Sequence, residues 1–147
     1  FMGWRSQEDE RAVSRALAKV GLEELETAEV AALSGGQRQR AWLAMALAQE
    51  TPVLFLDEPT SALDIGYQHS FMRLMRQLAG NKTLIAVIHD LAHVLRYADR
   101  VVAMKDGKVW DAGVPRDVIT PALIEELYGL TVRVVDVDGE PAIVPVG

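Results

Sequence analysis

The 147 residues are half apolar and about a quarter charged, enough for one globular domain with a sizeable core. A net charge of −6 speaks against nucleic acid as the main partner, because phosphate binding needs clustered cations. There is no cysteine, hence no disulfide framework or thiolate metal site; no apolar run reaches a membrane span, and no signal-peptide layout opens the chain. The expected compartment is the cytosol.

Ser6 followed by Gln7-Glu8-Asp9-Glu10 reads as an N-cap with an acidic first turn. Val13, Ala16, Leu17 and Val20 recur at helical spacing, and Gly21 is the expected left-handed stop. A short helix around Leu22–Leu25 is expected next. Ser34-Gly35-Gly36 then reads as a turn opening a helix from about Gln37 to Gln49, with Ser34 as N-cap. The positive end of that helix is a ready anion site. Leu43 and Leu47, four apart, should pack inward, and Trp42 is read as packing near one edge.

Thr51-Pro52 breaks the helix, and Val53-Leu54-Phe55-Leu56 runs into Asp57-Glu58-Pro59. A short apolar run closed by a turn signal predicts a strand buried on both faces. Asp57 and Glu58 then emerge at its carboxyl end, where open α/β sheets place ligands. Strand alternation would aim the two carboxylates at different tasks. One can hold a hydrated magnesium ion, and the other can accept a proton from an attacking water.

Phe71, Leu74, Met75 and Leu78 predict an amphipathic helix over Tyr67–Leu78, capped by Gly80-Asn81. Thr83–Ile88 is a second apolar strand, ending at His89-Asp90. Leu91–Tyr97 reads as a short helix in which His93 is a solvated residue. Arg100–Met104 is a strand turning at Asp106-Gly107 into Lys108–Asp111. Gly113 and Pro115 should break regular structure. Thr120-Pro121 opens a helix to about Tyr128, and Val132–Val137 with Ala142–Val146 flank a hairpin turn at Asp138-Gly139.

Four segments together carry a family resemblance: Leu33-Ser34-Gly35-Gly36-Gln37, Leu54–Glu58, Ser61-Ala62-Leu63-Asp64 and His89. In content and order they resemble the signature, Walker B strand, D-loop and switch histidine of the ATP-binding cassette (ABC) ATPases. The runs Gly35–Gln49 and Leu63–Gln68 are similar to the ferric-siderophore importer branch. The resemblance implies an α/β P-loop NTPase fragment of mainly parallel core strands with flanking helices, a partial helical subdomain and carboxyl-terminal hairpins. Residues 1–50 would be the rest of the helical subdomain with the signature helix, 51–112 the core strands, and 113–147 an extension.

It also implies ATP and Mg2+ as cofactors, with Glu58 and His89 catalytic and Asp57 holding the metal through water. Ser34, Gly35, Gly36, Gln37 and Asp64 would serve a nucleotide held by a second copy of the domain. The implied partners are that second ATPase subunit in a homodimer, a transmembrane permease at the cytoplasmic face of the membrane, and indirectly a substrate-binding protein. A Gly-x-x-x-x-Gly-Lys-Ser/Thr phosphate loop is absent. The expectation is therefore the carboxyl-terminal portion of a longer ATPase, inactive alone. Two alternatives stand beside it: a truncated module docking on a permease or full-length ATPase, and a soluble ABC protein of DNA repair or translation. Long coiled-coil or basic insertions typical of the latter are not seen between Gln37 and Val53.

Overall fold

A computed structural model of the chain describes residues 6–61 and 63–146, arranged in two compact units, Phe1–Val87 and Ile88–Gly147. Ala62, within the expected D-loop, lies outside the described residues.

The first unit begins with α1 (Gln7–Val20). The Ser6 hydroxyl accepts from the Asp9 amide at 3.1 Å, and the Asp9 carboxylate accepts from the Ser6 amide at 2.9 Å, a reciprocal cap on two helix-end donors. Gly21 ends the helix at φ +67°. Two single 3-10 turns follow, Glu23–Leu25 as expected and Val30–Ala32, which the sequence did not announce. The next helix, α2 (Gly35–Leu47), packs on α1, with Ala16 and Val20 buried on one helix and Leu43, Ala44 and Leu47 on the other. Trp42 does not pack: it lies on the outer side of α2 and is 56% exposed.

Strands β1 (Val53–Asp57) and β2 (Thr83–Val87) pair in parallel, Val53 opposite Thr83 and Asp57 opposite Val87. The crossover carries α3 (Ile65–Leu78), which buries Phe71, Met72, Met75 and Leu78. This helix starts two residues earlier than its apolar spacing suggested, because the Asp64 carboxylate accepts from the Tyr67 amide at 3.0 Å and caps it. Its last cap is Ala79 in right-handed conformation, so Gly80-Asn81 forms the turn beyond the helix rather than the cap itself.

β1 is not buried on both faces. Leu54 and Leu56 with Leu84 and Ala86 form the covered side of the pair, while Val53, Phe55, Ile85 and Val87 are exposed, Phe55 at 72%. A continuous apolar run shows that both faces are apolar, but covering them takes layers on both sides. Here the pair has a cover on one.

In the second unit, α4 (Leu91–Tyr97) is followed by the hairpin β3 (Val101–Lys105) and β4 (Lys108–Gly113). Asp106 and Gly107 at its turn both take positive φ, +50° and +73°, the backbone that a two-residue hairpin requires. Pro115 does not break structure but starts α5 (Pro115–Val118), since proline at the first helical position removes an amide with no partner to lose. Thr120 caps α6 (Pro121–Tyr128), and β5 (Val132–Val137) pairs antiparallel with β6 (Glu140–Pro145). Val94, Leu95, Ile119, Ile124 and Val132 form the core, with Ala103, Val118 and Leu123 as a smaller cluster. His93 is not solvated. It sits beside Val94 and Leu95 on the inward side of α4, 3% exposed, with its ring centroid 6.0 Å from that of Tyr97.

Candidate functional site

Asp57 is the last residue of β1, and Glu58 leaves the strand at φ +43°. A left-handed conformation costs a side-chain-bearing residue about 1–2 kcal/mol, and such outliers gather at functional sites. Three bonds hold it. The Glu58 amide donates to the Val87 carbonyl at 3.2 Å, and the Ser61 amide and hydroxyl donate to the Glu58 carbonyl at 3.2 and 3.1 Å. Both carboxylates are exposed, with the backbone turning out of the strand between them. Among the described residues no cluster of three or more His, Asp or Glu could hold a metal unaided. Magnesium carried on phosphates needs only one or two carboxylates with water, which Asp57 and Glu58 fit.

At the signature, Ser34 caps α2 in the way its sequence promised. The Gln37 amide donates to the Ser34 hydroxyl at 3.3 Å, and the Ser34 amide donates to Gln37 Oε1 at 2.9 Å. Gln37 is thus engaged in shaping the turn. The two glycines differ. A Cβ on Gly35 would meet nothing within 4 Å, and Gly35 and Ser34 are exposed. A Cβ on Gly36 would lie 2.7 Å from Cδ1 of Tyr67, and Gly36 is buried. The open approach to the helix's positive end is at Ser34-Gly35, whereas at Gly36 the Tyr67 ring occupies the space of a side chain.

Tyr67 also joins the signature to the next motif, because its amide is the one that Asp64 caps. Two glutamines that sequence reasoning did not single out complete the arrangement. Gln39 Nε2 donates to the Pro59 carbonyl at 2.7 Å, and Gln68 Nε2 donates to the carbonyls of Leu63 and Thr60 at 2.9 and 3.3 Å. No local pattern marks Gln39, whose acceptor is 20 positions away. Thus Ser34, Gly35, Gly36, Gln37, Asp57, Glu58 and Asp64 all belong to the first unit. His89 belongs to the second, exposed, just before Asp90, whose Oδ1 accepts from the Ala92 and His93 amides at 2.8 and 3.2 Å and caps α4.

The ABC transporter family pattern matches residues 2–61. The chain is 46% identical over 151 positions to the ferric enterobactin transport ATP-binding protein FepC of Escherichia coli, covering all of this chain and 55% of that protein. It is 42% identical to the probable siderophore transport system ATP-binding protein YusV of Bacillus subtilis, covering 97% of this chain and 53% of the relative. Among solved structures, a metal-chelate type ABC transporter in an inward-facing conformation superposes with a TM-score of 0.86 at 28% identity, over 99% of this chain and 59% of that one. The chain spans about half the length of the curated relatives it matches. By sequence and by fold, it belongs to the ATP-binding domains of ABC transporters, with their P-loop NTPase architecture.

Proposed function

We propose that this chain supplies the hydrolytic carboxylates and the signature half-site of an importer ATPase that drives uptake of a ferric siderophore or a related iron chelate. The observation that carries the reading is Glu58, held in a left-handed turn at the end of β1, beside Asp57 and outside the strand. Phosphoryl transfer to water is mostly positioning and charge stabilisation, so fixed carboxylates beside the phosphates are the groups it needs. Glu58 orients the attacking water and accepts its proton. Asp57 would hold Mg2+, which when bound would supply charge neutralisation on the phosphates. His89, next to the Asp90 cap of α4, is the second catalytic candidate.

Ser34 and Gly35 present the amino end of α2 to a nucleotide on a second subunit, with Gly36, Gln37 and Asp64 fixing the shape of that surface. ATP itself sits on a phosphate loop that this sequence does not contain. The ATPase acts as a homodimer on the cytoplasmic side of a transmembrane permease. No helix among the described residues is long and apolar enough to cross a membrane, which suits a peripheral subunit. The names of the relatives support the iron-chelate assignment.

The test is a chimera in which this chain replaces the matching half of FepC, expressed in Escherichia coli lacking FepC. Growth on ferric enterobactin as iron source is expected. A chimera that hydrolyses ATP yet supports no uptake would contradict the transport assignment.

A further inference from the structure

We propose that Gln39 and Gln68 are positioning residues for ATP turnover, locking the backbone after Glu58 to the helix that bears the signature turn. The inference rests on the ATPase reading above. After Glu58 the chain runs through Pro59, Thr60, Ser61 and Leu63 without regular structure, and Pro59 and Thr60 are buried. Buried carbonyls outside a helix or sheet need donors from elsewhere. Two side-chain amides meet that need: Gln39 reaches Pro59 from α2, and Gln68 reaches Thr60 and Leu63 from α3.

A third tie runs the same way. The Tyr67 ring lies against Gly36 in the first turn of α2, while the Tyr67 amide bonds Asp64. The water-directing carboxylate and the half-site for the partner's nucleotide therefore sit on one braced body. A shift of the signature turn on engaging a phosphate is carried to the residues next to Glu58 through Gln39. The brace requires donors. A carboxylate of the same size offers acceptors only, and would face the Pro59, Thr60 and Leu63 carbonyls with like-signed oxygen.

The test uses Gln39→Glu and Gln68→Glu, with the nearly isosteric Gln39→Met and Gln68→Met as variants that remove the donor without adding charge. Hydrogen exchange on the 147-residue chain is the first arm. Exchange of the Ser61 and Leu63 amides should quicken about 10-fold, with α1 unchanged. The second arm is steady-state hydrolysis by the FepC chimera carrying the same changes. There kcat should fall about 10-fold, while KM for ATP stays within about 2-fold, as expected of misplaced catalytic groups on an intact nucleotide cradle. Unchanged exchange at Ser61 and Leu63 in the Met variants overturns the brace. Unchanged kcat in a chimera that loses activity on Glu58→Gln overturns its role in turnover. A chimera insensitive to Glu58→Gln would instead count against the ATPase reading, and the exchange arm would still judge the brace.

Discussion

The amide of Glu58 donates to the carbonyl of Val87 at 3.2 Å, although Glu58 has already left β1 at φ +43°. The bond extends the β1–β2 ladder by one residue after the strand has ended. It also fixes where the carboxylate begins. The left-handed backbone carries a cost that glycine would not incur. Glu58→Gly should accordingly stabilise the chain by about 1 kcal/mol while removing hydrolysis. Urea unfolding reads the first effect and an ATPase assay of the chimera the second; a destabilised Glu58→Gly chain would show that the turn is not strained.

The two signature glycines should respond differently to a methyl group. Gly36→Ala drives a Cβ into the Tyr67 ring, and overpacking of this kind costs about 1–3 kcal/mol. Gly35→Ala meets no neighbour within 4 Å, so at this first helical position it should change stability by no more than about 0.5 kcal/mol. Any activity lost in Gly35→Ala then comes from the nucleotide side. Thermal unfolding of both variants, paired with turnover in the chimera, separates the two roles. Equal destabilisation by both would contradict the packing seen at Gly36.

Val53, Phe55, Ile85 and Val87 give the β1–β2 pair an exposed apolar face. A patch of this sort promotes association. Phe55→Ser removes the ring of this face, 72% exposed, at a stability cost within about 0.5 kcal/mol, because little of it is buried. Light scattering against concentration should show less self-association in Phe55→Ser than in the parent chain. Undiminished association would place the sticky surface elsewhere.

Arg15 Nη2 lies 2.8 Å from Glu50 Oε1. The hydrogen bond and then the charge of Arg15 hold the Glu50 carboxyl below its ordinary value. A lowered folded-state pKa stabilises above the unfolded value and loses that contribution as pH falls through the folded one. The effect on stability is small because both side chains are solvated. The readout is therefore the Glu50 titration followed by NMR, which should move up toward the ordinary glutamate range in Arg15→Ala. A Glu50 titration unaltered in Arg15→Ala would show that the pair does not persist in solution.

Helix starts were the most legible part of the chain. Ser6, Ser34 and Thr120 each cap the helix that their position announced, because a side-chain oxygen near the third amide acts locally. The Asp106-Gly107 and Asp138-Gly139 turns were equally plain, for a similar reason. What depended on distant neighbours was hidden. The open side of β1, the burial of His93 and the exposure of Trp42 follow from which layers meet which face. In the two-turn α4 the apolar period is too short to show that His93 points inward. The location of Asp57 and Glu58 at a strand end could be read from the sequence. The left-handed turn at Glu58, the Tyr67 ring on Gly36 and the Gln39–Pro59 bond could not: the first carries no glycine to announce it, and the other two are tertiary contacts.

In the proposed function, Glu58 directs the attacking water. Steady-state ATP hydrolysis by the FepC chimera, with and without Glu58→Gln, tests it most directly. A glutamine keeps the size but cannot take the proton, and loss of a general base lowers turnover by about 10²–10⁴-fold. The prediction is a fall of that order with ATP still bound; turnover near that of the unsubstituted chimera would contradict it.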